Sequence, residues 1–439
     1  MLSFLRKASV ALTALAVSML TAASCASAQT TTPAQRACPS FLPEGARCWA
    51  DQAELGGYYW IAMPQNWNGV LVVHAHGGPR LTAPAADDPL EDLERFSAMV
   101  REGYAWAGST YRRAGFGVRM AAEDTNDLRR IFWESFGRPR RTILHGQSWG
   151  GNVAAKTAEL YARGDDGALL WDGVLLTNGV LAGGARAYQF RADLRAVYQF
   201  YCRNHPRRDE PQYQLWQGLP QGMGMTRREL TARVRECTGI DQPARARSSQ
   251  QRRNLENILA VTGVEESALV SHLAWGTFHF QDVIARLGGN PFDNSETVYS
   301  GSSDDRALNA GVARFDVDPQ ALARLEHDSG LSGALEAPTL TIHAKRDPTA
   351  FVWHEAAFRA RVETAGRTAL LVQTFTSEND HSRLSPPGVI AALAALTHWI
   401  DQGARPTASD VAATCAAIES RHNGGCHFDP SYEPSLPPN

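Results

Sequence analysis

The stretch Arg140–Lys156, "RRTILHGQSWGGNVAAK", decides the fold. Its apolar run Thr142–Leu144 predicts a short buried strand, and the alanine-rich run Val153–Tyr161 predicts a helix. The chain must turn sharply between them, over Gly146–Gly150, and this leaves Ser148 at the corner. A strand-to-helix turn with a surface serine would explain the pattern, and so would a nucleophile held on a strained elbow.

Strand and helix patterns alternate on both sides of this stretch. Before it, "GYYWIAMP", "GVLVVHAHGG" and "YAWAGSTYR" predict strands, and after it "WDGVLLTNG", "TLTIHAKRD" and "ALLVQTF" do so. Helices are predicted over Pro89–Arg101, Glu123–Phe136 and Phe351–Thr364, and a last helix ends at Gly403. The alternation predicts an α/β fold with a mostly parallel central sheet and helices on both faces.

The alternation stops at about Val180, and residues 181–334 contain no clear strand pattern. A capping box at Thr226–Glu229 predicts the start of a helix there. These residues are expected to form a helical cap inserted between two parts of the core, residues 29–180 and 335–403. Apolar side chains are dense in the cap; most should form its own core and some should face the site as a lid: Trp216, Met223, Met225, Trp275, Phe278 and Phe280.

The N-terminus predicts export. Arg6–Lys7 precedes an apolar run that is too short to span a bilayer, and Ala26–Ala28 fits a signal-peptidase site, so residues 1–28 are a predicted signal peptide. Lipid attachment at Cys25 is an alternative, although Ala22 stands where a lipobox prefers a leucine-like residue. No other apolar stretch is long enough to cross a membrane. The mature protein is expected in the periplasm or outside the cell.

Removal of the signal peptide leaves an even number of cysteines, which favours disulfides in an oxidising compartment. Many connectivities are possible, and pairing between sequence neighbours is the simplest: Cys38–Cys48, Cys202–Cys237 and Cys415–Cys426. The last pair would tie down a C-terminal tail, residues 404–439. No two cysteines form a CxxC pair, so redox or zinc chemistry is not indicated.

The charges are mixed along the chain. The formal net charge is −3 over 439 residues, and no basic stripe or acidic block is present. The composition therefore does not indicate a nucleic-acid partner.

Ser148 could act as a nucleophile only with several partners. A serine hydroxyl needs a base to take its proton, the base is best a histidine, and the histidine needs a carboxylate to fix its tautomer. The attacked carbonyl becomes an oxyanion and needs backbone N–H donors. In an open α/β sheet, these groups should lie on loops at the carboxyl ends of strands.

The segment "HAHGGPR" is the candidate oxyanion loop. Backbone N–H of Gly77, with Gly78 as a further candidate, would act together with that of Trp149. A metal site is an alternative, because His74 and His76 share one face of the strand, but no further ligand cluster has metal spacing. A packed glycine turn is the simplest alternative.

The acid is predicted to be Asp347, which follows the strand "TLTIHAKR". The earlier strand "GVLLTNG" ends in Asn178, which is not an acid. Asp380 and Glu378 lie next to the predicted histidine in sequence, a spacing that rarely gives the required side-chain geometry.

The base is predicted to be His381, in the loop between the last strand and the last helix. His354 and His398 fall within predicted helices and His343 within a strand, so they are expected to be packed or surface residues. The chain order is then serine, aspartate, histidine.

These motifs resemble those of the α/β-hydrolase superfamily, with a helical cap after the sixth strand, over roughly residues 50–403. "HGGP" and "GQSWGG" are also similar to the proline iminopeptidase branch, which carries HGGPG and GxSWG. Here Arg80 replaces the last glycine of the first motif, and the cap contains no clear acidic cluster for a free N-terminus. The remaining resemblance is to secreted esterase-like hydrolases.

The sequence thus predicts a secreted serine hydrolase that cleaves carboxylic esters through an acyl-enzyme, with Ser148, His381 and Asp347 as its triad. No metal or organic cofactor is needed, and the partner is a small-molecule or oligomeric ester. A serine aminopeptidase and a non-catalytic binding protein on a hydrolase scaffold are the alternatives. The sequence does not indicate substrate identity or oligomeric state.

Overall fold

A nine-stranded sheet forms the centre of the computed structural model, which describes residues 32–437. The predicted signal peptide and the alternative lipidation site at Cys25 lie outside the described residues. The strands are β1 (Gln35–Arg36), β2 (Arg47–Gln52), β3 (Tyr58–Met63), β4 (Val70–Ala75), β5 (Ala105–Ser109), β6 (Arg141–Gln147), β7 (Gly173–Thr177), β8 (Thr339–Ala344) and β9 (Leu371–Thr376).

The spatial order of the strands is β1-β2-β3-β5-β4-β6-β7-β8-β9. The strands from β5 to β9 in this order pair with their neighbours in parallel. The strands β1, β2 and β3 form an antiparallel edge next to β5. The predicted mostly parallel sheet is therefore confirmed.

Both faces of the sheet are covered, as the apolar runs of its central strands require. Every residue of β4 is buried. Because successive side chains of a strand point to opposite faces, Leu71 and Val73 join one core cluster, whereas Val70 and Val72 join the other. This double burial explains why β4 is almost continuously hydrophobic.

The helices up to the cap are α1 (Pro89–Arg95), α2 (Ser97–Arg101), α3 (Val118–Phe136) and α4 (Trp149–Leu160). The prediction of one helix over Pro89–Arg101 was wrong, because the backbone leaves the helical conformation at Phe96 and separates α1 from α2. The prediction for α3 placed its start too late. The helix begins directly after Gly117, whose φ of 155° few other residues adopt.

The segment between β7 and β8, residues 181–334, is referred to below as the cap. It contains no β-strand among these described residues, and its helices are α5 (Gln189–Cys202), α6 (Arg227–Thr238), α7 (Ser249–Thr262), α8 (Leu269–Ala274), α9 (Phe280–Leu287), α10 (Asp305–Gly311) and α11 (Pro319–Ser329). A π-helical turn, Trp275–His279, joins α8 to α9. Thr226 caps α6 as predicted, with a complete capping box.

The remaining helices are α12 (Trp353–Thr364), α13 (Pro386–Gln402) and α14 (Ala408–Ile418). Beyond α14, the backbone of the tail lies along β9: Ser377 donates to the carbonyl of His427 and Asp429 donates to that of Phe375, both at 2.8 Å. The tail thus covers the outer edge of the sheet. Helix α14 was missed in the sequence.

The three predicted disulfides are confirmed. Their Cα–Cα distances are 5.2 Å for Cys38–Cys48, 5.4 Å for Cys202–Cys237 and 5.9 Å for Cys415–Cys426. Within residues 32–437, no helix has the length and apolar character needed to cross a membrane.

Candidate active site

Ser148 lies on a tight turn between β6 and α4, with φ 59° and ψ −126°. Such a conformation is strained for a residue with a side chain. A Cβ at Gly146 would lie 2.1 Å from the carbonyl oxygen of Gly150, and one at Gly150 would lie 2.1 Å from that of Ala75. Only glycine fits at either position, so the turn is an elbow that presents the half-buried serine above the sheet.

The predicted serine, histidine and aspartate meet at this elbow. The Ser148 hydroxyl donates to Nε2 of His381 over 2.6 Å. Nδ1–H of His381 donates to Oδ2 of Asp347 over 2.7 Å. This continuous chain of hydrogen bonds is the geometry by which a carboxylate orients an imidazole and the imidazole takes a proton from a hydroxyl.

The loop after β8 fixes the orientation of the Asp347 carboxylate. Its side chain is fully buried, and its second oxygen, Oδ1, accepts backbone N–H groups of Thr349 and Ala350 at 2.7 and 3.0 Å. Charged acceptors of this kind make strong hydrogen bonds. The loop after β8 therefore fixes which oxygen faces the imidazole.

The neighbouring acids have other partners. Asp380 accepts backbone N–H groups of Ser382 and Arg383, at 2.8 and 2.9 Å, and Glu378 accepts that of Ser385 at 2.7 Å. Both carboxylates shape the loop that carries the histidine.

The other candidate histidines make their hydrogen bonds to other residues, although Nε2 of His343 lies 3.8 Å from Oδ2 of Asp347. His343 is buried within β8 and contacts Glu355, and the buried His354 accepts the backbone N–H of Ala182 at 3.0 Å. His398 is exposed on α13. These positions agree with the prediction that they are packed or surface residues.

The glycine loop after β4 lies against the elbow. A Cβ at Gly77 would lie 3.5 Å from that of Ser148, and Gly78 has φ 69° and open space beside it. Within residues 32–437, the backbone N–H groups of Gly77, Gly78 and Trp149 have no protein acceptor. Trp149 begins α4, so its N–H also benefits from the positive end of the helix.

His74 and His76 belong to a buried network beneath this loop. Both contact Asp92, and Nδ1 of His74 lies 2.9 Å from Nδ1 of His145. Over the described range 32–437, no group of three or more His, Cys, Asp or Glu side chains is arranged to hold a metal ion. The network positions the end of β4.

Two further residues hold the histidine loop. Gln147 donates to the carbonyl of His381 at 2.9 Å, and Asn178 donates to the carbonyls of Asp380 and His381 at 3.0 and 2.8 Å. Neither residue was predicted from the sequence. Their position at the carboxyl ends of β6 and β7 was the available signal.

A cavity of about 330 Å³ lies between the cap and the core loops. Leu81 and Thr349 contribute its core side, and Trp275, Phe278 and His279 contribute its cap side. The π-helical turn thus supplies the wall, while Phe280 is fully buried within the cap. A cleft of about 700 Å³ on the other side of the histidine loop, between α1, α2 and Ser382–Pro386, has no cap residue in its lining.

Comparison with known proteins gives distant similarity. No family model matches the chain. A segment of 117 residues is 30% identical to an o-phthalyl amidase of Xanthobacter agilis and spans 26% of this chain and 24% of that protein. Similar solved structures include an esterase of Aspergillus oryzae (TM-score 0.46, 13% identity, covering 82% of this chain and 81% of that one). Another is a puromycin hydrolase (TM-score 0.42, 13% identity, covering 83% and 40%).

The strand order and the elbow define the class of the protein. The α/β-hydrolase fold is recognised by three features that this protein has. They are a parallel sheet with this strand order, a serine on a positive-φ turn after β6, and polar loops after β8 and β9. The protein therefore has the fold that its motifs predicted.

Proposed function

We propose that the protein is an exported serine hydrolase that cleaves carboxylic esters through an acyl-enzyme intermediate. The observation that carries the proposal is the hydrogen-bonded chain from Ser148 through His381 to Asp347. The three disulfides support an oxidising compartment and hence export.

In the proposed mechanism, Oγ of Ser148 attacks the ester carbonyl carbon while its proton passes to Nε2 of His381. Asp347 stabilises the imidazolium through Nδ1–H. The backbone N–H groups of Gly77, Gly78 and Trp149, which have no acceptor among the described residues, are offered to the oxyanion. The tetrahedral intermediate then expels the alcohol, which takes the proton from His381. Water attacks the acyl-enzyme by the same steps and releases the acid and free Ser148.

Residues 181–334 act as a lid in this proposal. The aromatic cap residues Trp275 and Phe278 line the cavity beside the site, as pockets for organic substrates require. The substrate is therefore expected to have an apolar or aromatic part. Esters are favoured over amides because an alkoxide leaves more readily than an amine.

Amide cleavage is the second candidate. It is supported by the likeness of "HGGP" and "GQSWGG" to the proline iminopeptidase motifs and by the partial similarity to a protein named as an o-phthalyl amidase. An aminopeptidase needs an anion for the free amino terminus. Among the described residues, no carboxylate lines the cavity under the cap.

Labelling and turnover together test the proposal. A fluorophosphonate probe should label the wild-type protein at Ser148 and should not label the Ser148→Ala variant, which is expected to keep its thermal stability. Turnover of p-nitrophenyl esters should exceed that of amino-acid and proline anilides. Labelling with rapid anilide turnover and negligible ester turnover would favour the second candidate. Folded protein without label would indicate a non-catalytic binding protein.

A further inference from the structure

Arg191 forms part of the cavity wall and lies in the first turns of α5. The side chain lines the cavity beneath the cap, yet the residue is only 5% exposed. Charged residues are rarely buried to this extent unless a partner of opposite charge or a full set of hydrogen bonds compensates them.

No such partner is present in the described chain, residues 32–437. No carboxylate pairs with the Arg191 guanidinium, its Nε has no acceptor, and Nη1 reaches only the Ala187 carbonyl at 3.4 Å. Its neighbours are aromatic: the guanidinium carbon lies 4.4 Å from the ring centre of Phe190 and 4.6 Å from that of Trp275. Burial lowers the pKa of Arg191 to about 10, so the side chain remains charged at neutral pH.

Arg191 is also close to the catalytic loops. His272 connects the two regions, because its Nε2–H donates to the Pro348 carbonyl at 2.8 Å, next to Asp347. Burial, together with the nearby Arg191 and His381 side chains, lowers the pKa of His272 to about 3. Both groups are therefore within electrostatic range of one imidazole.

The second arginine that lines the cavity, Arg227, is also positively charged. Arg227, at the exposed rim, donates to the hydroxyl of Ser271 at 3.0 Å. The side of the cavity formed by Trp275 and Phe278 is aromatic and apolar. An organic anion with an apolar body would satisfy both features.

We propose that Arg191 binds a free carboxylate of the substrate, so that the enzyme acts preferentially on acyl derivatives of dicarboxylic acids in which one carboxyl group remains ionised. A guanidinium presents paired N–H donors that match the two oxygens of a carboxylate. The inference rests on the proposed function, since it names the substrate class of that same site.

A matched pair of substrates tests the inference in the wild-type enzyme. One is the mono-p-nitrophenyl ester of adipic acid, and the other is its twin in which the free carboxylate is a primary carboxamide. The two acyl chains have the same length, so only the charge differs. The value of kcat/KM should be about 10-fold to 100-fold higher for the carboxylate, mainly through KM. Equal values would overturn the inference.

Variants locate the preference at Arg191. The Arg191→Met variant should lose the preference, so that its kcat/KM values for the carboxylate and the carboxamide substrates become about equal. Arg191→Lys should retain a smaller preference, because lysine keeps the positive charge but lacks the paired N–H donors of the guanidinium. The matched control is Arg253→Gln, an exposed cap arginine that donates to Gln250, and it should behave as wild type.

The outcomes are separable. A preference that survives in Arg191→Met would overturn the inference, even with full activity. If that variant fails to fold, as judged by its melting curve, the wild-type substrate pair and Arg191→Lys decide. Failure of the proposed function looks different: neither ester is turned over and the fluorophosphonate probe does not label Ser148.

Discussion

Asn178 adopts a left-handed backbone conformation, with φ 44°, at the end of β7. Its amide nitrogen donates to the carbonyls of Asp380 and His381, and its amide oxygen accepts the backbone N–H of Ala344 at 2.8 Å. One side chain therefore joins the loop that carries the histidine to the end of β8. Asn178 is a positioning residue for the imidazole above Ser148.

Replacement of Asn178 separates positioning from backbone strain. Asn178→Ala and Asn178→Gly both remove the amide, and both should lower kcat about 10-fold or more with little change in KM, because the imidazole is less well held. Glycine tolerates positive φ and alanine does not, so the alanine variant should have the lower melting temperature. Steady-state kinetics and thermal melts measure the two effects.

A purely structural role for Asn178 would give another pattern. In that case the loss of kcat would follow the loss of stability, and Asn178→Gly would recover activity relative to Asn178→Ala.

At the residue scale, the sequence predicted the groups that local motifs define. Ser148, Asp347 and His381 each follow a strand pattern, and the structure brings their side chains together. Gln147 and Asn178 were missed because they act on a backbone carbonyl more than 200 positions away in sequence, which no local pattern encodes.

At the element scale, α8, the π-helical turn and α9 form one continuous helical segment. This segment contacts the loop after β4 and the loop after β8. His272 donates to the Pro348 carbonyl and His279 donates to that of Pro79 at 3.2 Å. π-Helical turns often occur at functional sites, where they redirect side chains. Here the turn places Trp275 and His279 in the cavity lining and brings His279 to the core loop at Pro79.

Acid should destabilise these contacts. Burial lowers the pKa of His272 to about 3 and that of His279 to about 4, so both are neutral in the folded protein, whereas in the unfolded chain they titrate near 6.5. The unfolded state therefore binds more protons below about pH 6.5, and the free energy of unfolding falls as the pH decreases from there to about 4. The melting temperature should drop between pH 7 and pH 5.

The variant His279→Gln should make this pH dependence shallower, because glutamine can donate to the Pro79 carbonyl but does not titrate. The charges near His279 are those of Arg191, Arg227 and Asp282, and they remain in the variant. His398→Gln, at an exposed position on α13, is the control and should leave the slope unchanged. Equal slopes for wild type and His279→Gln would contradict the expectation.

Elements with strong periodic or turn signals were predicted, and weaker ones were not. The strand β2, "RCWADQ", was missed because half of it is exposed and polar, and it is defined by pairing with β3. The break at Phe96 was missed because no glycine or proline marks it. The end of α13 at Gly403 was predicted, since glycine adopts the left-handed capping conformation there.

At the scale of the whole molecule, the disulfides should stabilise unequally. In the chain-entropy account, the bond that closes the longest loop restricts the unfolded chain most. Cys202–Cys237 has a sequence separation of 35, against 10 and 11 for the other two. The free energy of unfolding of the double variant Cys202→Ser, Cys237→Ser should therefore be about 4 kcal/mol lower than that of the wild type. Removal of either other disulfide should lower it by about 3 kcal/mol.

Urea unfolding of each double variant measures these differences, and thiol titration of the exported wild-type protein should find no free thiol. Detection of free thiols in protein prepared without reductant would show that the bonds do not form. A larger loss from the Cys38–Cys48 variant than from the Cys202–Cys237 variant would indicate that native contacts, rather than loop length, dominate.

Each of the three disulfides in the described chain joins two segments that are close in sequence. They join the lead to β2, α5 to α6, and α14 to the tail. None crosses from the cap to the sheet. The cap is consequently attached to the rest of the protein by its two chain connections and by non-covalent contacts. Disulfide formation can therefore stabilise each of these regions without fixing the position of the cap relative to the sheet.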